Sequence, residues 1–453
     1  MRLLKAKKID ATTGNLWKNI VLYAIPLIIG TLVQNCFNAV DLIVLGNMAD
    51  SNAVASVGAT GSIVGLFINA FIGIGGGCKI VLAHQYGAKN SVQIKRTVDT
   101  SMITAVLIGV LVAGVGVPWA PKILHITNCP EECFEGAVIY IRIYLAAAPA
   151  ILVYNFGSAV LTASGDSQRP LYYIIIGGLV NLILNIILCL ILPKKVIAVA
   201  VATAASQVVG AWLVVRRLCR MEGDGRVELR DLHFHLRAFG RIMGQGLPLG
   251  LNSALYPLAN LQIQSAINTF GVSAIAGNSA SSTIEGIPSA FSGSFGSTAT
   301  VFMGQNLGAG QQKRVRQSFL YCIGISCAIG LVLSTCIYLT GSFWLSFFLP
   351  GDPEGIEFGK IRMIFVLMFY PIACANGVLS AAIQTRGYAL FTSLSSVLCV
   401  CGFRLVWMTF VYPQFGTFHM LMACFTVSWL LLHGCYIIGY FIFCRRKAKV
   451  NLQ

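Results

Sequence analysis

Asp41 is the residue with the clearest chemistry in this 453-residue chain, because it is the only charge between Asn19 and Gly46. A carboxylate in apolar surroundings is costly unless it takes up a proton or a cation, so such a residue is by default a functional one. Asn181 and Asn185 are one helical turn apart and share one helical face. With Thr203 they supply neutral oxygens that can ring a small cation or a proton-binding acid. Glu285 and Arg404 form a second candidate set. Opposite charges in apolar stretches are expected to meet, since either ion alone costs more. Gln34, Asn35, Asn38, Asn252 and Asn260 offer amides, and Phe37, Phe67 and Tyr256 offer ring faces, of the kind that line a path for organic cations.

An enzyme at a membrane face needs clustered His, Asp or Glu, and the sequence has no such cluster, so no catalytic residue is assigned. His233 and His235 lack a third ligand nearby and read as solvated residues, not as a metal site. No cofactor is expected beyond H+ or Na+ as a coupling ion.

The elements that position these residues are membrane spans. Hydrophobic residues make up 56% of the chain and charged ones 11%, against about 25% charged in soluble domains. Apolar stretches long enough to cross a bilayer fall at 17–46, 52–83, 97–118, 136–163, 170–192, 196–215, 242–270, 273–303, 318–341, 360–383, 388–412 and 416–444. Twelve helices follow, and the chain is all-α. Asp41 then lies toward the outer end of the first span, and Asn185 and Thr203 lie at similar depth from the same side in the fifth and sixth. Glu285, near the middle of the eighth span, and Arg404, in the outer half of the eleventh, are also at comparable depth.

Of the 32 Lys and Arg, 24 fall on one side if the N-terminus is cytoplasmic, which places both termini inside a multi-pass plasma-membrane protein. The net charge of +16 then serves topology and membrane lipid, and nucleic acid is the poorer partner. Residues 1–18 are basic and polar, and the first long span acts as its own targeting signal. The 15 cysteines read as small buried hydrophobes, with Cys129 and Cys133 either bridged or free in an outer loop. Residues 216–241 are basic and read as a cytoplasmic linker between an N-terminal lobe, 1–215, and a C-terminal lobe, 242–453.

The lobes are repeats. Pro26 and Pro248, Pro149 and Pro371, and Gly165 and Gly387 are separated by one identical offset, and Gly87 and Gly308 by one position less. Six spans per copy give both copies the same orientation, the pattern of parallel repeats found in secondary transporters. Pro26 and Pro248 each remove a helical hydrogen bond and are candidate hinges. Gly73, Gly75, Gly76 and Gly77 in the second span, like Gly293 and Gly296 in the eighth, are expected to let helices approach closely.

The stretches from Pro26 to Gly30 and Asn38 to Asp41, then His84-Gln85-Tyr86-Gly87-Ala88, Ala163-Ser164-Gly165-Asp166-Ser167, Gly304-Gln305-Asn306-Leu307-Gly308-Ala309 and Cys401-Gly402-Phe403-Arg404, resemble the multidrug and toxic compound extrusion (MATE) transporters of prokaryotes. The resemblance covers nearly the whole chain. It implies a V-shaped, two-lobe, twelve-helix antiporter, read as a monomer, that expels small organic, often cationic, compounds. It also implies a cation site with an aspartate on the first helix, an asparagine and an aspartate on the fifth and a threonine on the sixth. Asp41, Asn181 and Thr203 match, whereas Asn185 stands where an aspartate is common. One charge fewer favours H+ over Na+ as the coupling ion. A lipid-linked precursor flippase of the same superfold is the rival reading, and it would be expected to line its cavity with several Arg and Lys.

Overall fold

The computed structural model describes residues 8–48, 51–127 and 129–444, leaving aside the side chains of 38, 39, 41–45, 47, 48, 51–55 and 258. Among the described residues the chain is helical throughout, without strands. Every expected span is helical, running as α1 (Leu16–Met48), α2 (Ser51–Gly87), α3 (Ser91–Ile126), α4 (Glu131–Ala146), α5 (Ala148–Ala163), α6 (Gln168–Ile191) and α7 (Lys195–Cys219) in the first repeat. The second repeat holds α8 (Leu236–Asn268), α9 (Val272–Gly308), α10 (Gln312–Leu339), α11 (Gly341–Phe348), α12 (Pro353–Phe365) and α13 (Tyr370–Gln384). It continues with α14 (Ala389–Ser396), α15 (Phe403–Val406), α16 (Tyr412–Phe415) and α17 (Phe418–Cys444).

Among the described residues nine helical segments are long and apolar enough to cross a membrane, and the pair α4 and α5, bent by 46°, makes a tenth. The other two expected spans are α8 and α9, of 33 and 37 residues, whose length suffices but whose Asn, Gln, Ser, Thr and Gly content lowers their hydropathy. Polar content of that kind belongs on helices that face other helices or a cavity.

Helix lengths and ends repeat with the sequence. The two long helices α2 and α9 are both 37 residues and end at Gly87 and Gly308. Pro149 and Pro371 each sit in the first turn of their helix, α5 and α13, where a missing N–H leaves no helical bond unmade. Gly165 and Gly387 carry φ of +94° and +89°, a conformation that L side chains rarely adopt. The repeated glycines are thus demanded by the chain reversal after α5 and α13.

Two compact units result, one comprising residues 8–10 and 25–250, the other residues 11–24 and 251–444. Helices α1 and α8 are each continuous through their proline and contribute to both units, and the divisions fall within two residues of Pro26 and Pro248.

In the first unit α2–α5 and α7 share one apolar core that includes Phe71, Leu82, Leu145, Leu152, Phe156 and Leu218. Gly73 and Gly77 of α2 meet the backbone of α8 at Gly250 and Gly246, so close that a Cβ at any of the four would collide. Two glycines one turn apart on each helix allow that approach. In the second unit Gly296 packs on Gly377, whereas Gly293 has nothing close to it, so close packing accounts for the first of these glycines and not the second. Residues 220–235, between α7 and α8, lie on the start of α3: Ser91 donates to Asp224 at 2.7 Å and Lys95 to the Arg226 carbonyl at 3.2 Å. Cys129 and Cys133 are free thiols with sulfurs 3.8 Å apart.

Candidate functional site

Each unit encloses a polar cavity. That of the first, about 250 Å³, is walled by Gln34 and Phe37 of α1, Tyr140 and Tyr144 of α4, Asn181 of α6, and Thr203 and Gln207 of α7, among others. Among the described residues the lining carries no formal charge. The Asn185 amide donates to Asn181 Oδ1 at 3.0 Å, and the Asn181 amide donates to Thr203 Oγ1 at 3.4 Å. Both asparagines are buried. The structure therefore brings three of the four expected cation-site residues into one chain of hydrogen bonds across α6 and α7. Asp41 belongs to α1, and its side chain lies outside the described residues, as does that of Asn38. The Phe37 ring lies against Gly178 of α6, where a Cβ would clash, so α1 and α6 approach closely at this level.

Expected substrate-path residues divide. Gln34 and Phe37 line the first cavity, and Tyr256 and Asn260 line that of the second unit. Asn35 is exposed and Asn252 half-buried, and neither lines either of these two cavities. Phe67 packs on Phe71 at the edge of the first unit's core, with ring centres 5.9 Å apart.

The second cavity, about 410 Å³, is charged. Glu285 of α9 is not the partner of Arg404, contrary to the sequence expectation. Its carboxylate is held by Arg362 of α12 through two hydrogen bonds of 2.8 Å, from Nε to Oε1 and from Nη2 to Oε2. That fork is the strong form of the Arg–carboxylate contact. The third Arg362 nitrogen, Nη1, donates to Asn278 Oδ1 at 2.7 Å, so its polar groups are satisfied. Arg404 of α15 has only neutral partners: Nε donates to Ser428 Oγ at 3.2 Å and Nη1 to Asn260 Oδ1 at 2.7 Å. Its guanidinium carbon lies 4.3 Å from the centre of the Phe425 ring and 5.6 Å from that of Tyr256, within cation–π range. Arg362 approaches the same Phe425 ring at 5.1 Å. Among the described residues no carboxylate is paired with Arg404.

The MatE family model matches this chain twice, over residues 26–187 and 248–409. The chain belongs to the MatE family. The two matched segments begin and end at the same offset that separates the repeated prolines and glycines. MatE proteins are membrane transporters, not enzymes. The chain is 26% identical over 436 residues to "Probable multidrug resistance protein YoeA" of Bacillus subtilis, covering 93% of this chain and 94% of that one. It is 24% identical over 437 residues to a protein named "FAD transporter" in Shewanella oneidensis, with 92% of each covered. A solved structure described as "Outward-facing conformation of a multidrug resistance MATE family transporter of the MOP superfamily" superposes with a TM-score of 0.85 at 21% identity, over 97% of this chain and 98% of that chain.

Sequence reasoning missed Arg362 in this MatE chain because the tenth span reads from Lys360, past a run of charges. The helix begins at Pro353, with Asp352 capping it through a 2.8 Å bond to the Gly355 N–H. Arg362 is therefore in the last turn of α12, not at the start of a helix. Asp352-Pro353-Glu354 was the available signal: a capping acid, a first-turn proline and a first-turn acid mark a helix start. His233 is exposed and His235 half-buried, each turned to a backbone carbonyl, and among the described residues no group of His, Cys, Asp and Glu could hold a metal.

Proposed function

We propose that this transporter lies in the plasma membrane with both termini cytoplasmic and exports small organic compounds, driven by a cation that binds at Asp41 beside Asn181, Asn185 and Thr203. The hydrogen-bonded run Asn185–Asn181–Thr203 carries the reading, together with the packing of Phe37 on Gly178. Position 41 is one turn beyond Phe37, and Asn181 is one turn beyond Gly178. Odd-numbered spans cross a bilayer in the same sense, so α1 and α6, the first and fifth, run parallel and these turns are level. Two amides and a hydroxyl complete a site around one carboxylate. A single acid suffices for one proton, whereas Na+ gains from a second anionic oxygen, so H+ is the favoured coupling ion. Transport requires only that the states of the cycle differ in their affinity for that ion. The names of the relatives support export of organic compounds, multidrug in YoeA and a flavin nucleotide in the Shewanella protein.

Dye-loaded cells expressing the chain are expected to lose dye faster than cells without it. Asp41→Asn is expected to abolish this at unchanged membrane abundance. Efflux is expected to persist in Na+-free buffer and to collapse with a protonophore. Full efflux by the variant would remove Asp41 from coupling, and a strict Na+ requirement would reverse the ion.

A further inference from the structure

Arg404 is a buried cation that no anion among the described residues neutralises. It is 1% exposed, lines the cavity of the second unit, and has an Nη2 group without a hydrogen-bond acceptor. Arg362, the other cation on that wall, is fully engaged by Glu285 and Asn278. Two guanidinium groups against one carboxylate leave the cavity with one positive charge in excess. A buried guanidinium without a counter-ion is expensive at membrane depth, and such residues mark substrate or ion paths.

The backbone around it is also unusual. Turns of π-helix at Val397–Gly402 and Trp407–Val411 flank the four residues of α15 that contain Arg404. Such turns shift the side chains after them around the helix, and they are frequent at functional sites. The guanidinium of Arg404 lies over the rings of Tyr256 and Phe425, and Trp429, Asn260 and Asn376 line the same cavity. The cavity's size, about 410 Å³, suits a compound of one to three rings.

We propose that the cavity of the second unit binds aromatic organic acids, with Arg404 receiving the carboxylate or phosphate and the aromatic residues receiving the ring. The acid accepts from Nη2, the group left without a partner, and supplies the missing negative charge. Arg362 acts as a positioning residue: its fork to Glu285 removes the one carboxylate that would otherwise compete for Arg404. An organic ammonium ion fits this wall poorly, because it brings a third positive charge to it. The proposal deepens the export reading, naming a substrate class for it, and it rests on that reading only for passage across the membrane.

Binding is read on the purified full chain in detergent, with no gradient, by competition against fluorescent 2-naphthyl phosphate. Naphthalene-2-carboxylate is expected to compete at least tenfold more strongly than its isostere 2-naphthylmethylammonium. Arg404→Gln is expected to erase that preference and Arg404→Lys to keep part of it. The preference of the unmutated chain for acid over ammonium tests the idea even if Arg404→Gln misfolds. Equal or stronger competition by the ammonium compound overturns the proposal. So does preferential displacement by phosphatidic acid in the same micelles, which would assign the site to a lipid headgroup. Acid binding without flux in proteoliposomes would uphold the site and remove the export reading instead.

Discussion

The cavities of the two units occupy corresponding places in the two repeats and differ in charge. Gln34, Tyr140, Thr203, Ser206 and Gln207 line the first, and the residues one repeat later are Tyr256, Arg362, Phe425, Ser428 and Trp429, four of them on the wall of the second. Ser206 and Ser428 are the same residue in the same local bond, each donating to the carbonyl three residues earlier. Only Ser428 also accepts from a guanidinium. The repeat has kept what backbone geometry demands, such as Gly165 and Gly387 at positive φ. It has changed what faces the cavity, from neutral amides and phenols to ions and larger rings. One scaffold thus supplies a first chamber whose described lining is uncharged and a second that sets two guanidinium groups against one carboxylate.

The largest effect expected from that difference is in the second unit. Arg362→Gln leaves Glu285 buried without its fork, a loss of about 3–5 kcal/mol for breaking one side of a buried pair. Glu285→Gln strands Arg362 similarly, and the double replacement is expected to recover part of the loss in a thermal-unfolding cycle. Arg404→Gln removes a charge with no ionic partner and is expected to cost less than Arg362→Gln. A coupling energy between Glu285 and Arg404 as large as that between Glu285 and Arg362 would show that the charges act as one triad, and the contrast between a spent and an unspent guanidinium would fail.

A second, smaller difference lies in packing. In the first unit a Cβ on Gly77 would run into the backbone of Gly246 and the Ile242 carbonyl, and neither is the movable end of a side chain. With α2 and α9 aligned at their ends, the residues corresponding to Gly73 and Gly77 in the second repeat are Ser294 and Thr298, so this glycine contact is not repeated. Gly77→Ala is expected to destabilise by about 1–3 kcal/mol through overpacking. Gly293→Ala meets nothing within 4 Å and is expected to be neutral, or stabilising by up to about 1 kcal/mol from helix propensity. Equal melting temperatures for the two variants would show that α2 and α8 can part at no cost.

What the sequence made legible follows the cost of error. Prolines and positive-φ glycines at a fixed offset exposed the repeat, because few other residues serve at those places. Asn181, Asn185 and Thr203 were legible because polar groups stand out in apolar helices, and the structure joins them by hydrogen bonds. Pairing of charges was not legible. Depth counted along separate helices says nothing about which helices are neighbours, and α9 packs against α12, so Glu285 meets Arg362. Helix ends carrying charges mislead in the same direction: Glu354 and Glu357 look like loop residues, yet they lie on α12. The π turns beside Arg404 left no sequence signal, since they redistribute hydrogen bonds and need no special residue type.

The smallest expected effect concerns the first chamber and tests whether a single proposed carboxylate there selects the ion. Asn185 donates to Asn181, which donates in turn to Thr203, so replacing the first donor by a carboxylate alters the run at one end without removing the other two oxygens. Asn185→Asp adds a second anionic oxygen donor to the proposed site around Asp41. Two carboxylates lower the electrostatic cost of holding an unsolvated Na+, while a single proton needs one of them. The variant is expected to gain a dependence on Na+ that the unmutated chain lacks, its transport rising with external Na+. Proteoliposome flux measured against external Na+ at fixed pH reads this directly. Transport by Asn185→Asp that stays independent of Na+, with Asp41→Asn still inactive, would show that position 185 stands outside the ion's first coordination sphere and that the number of carboxylates here does not select the ion.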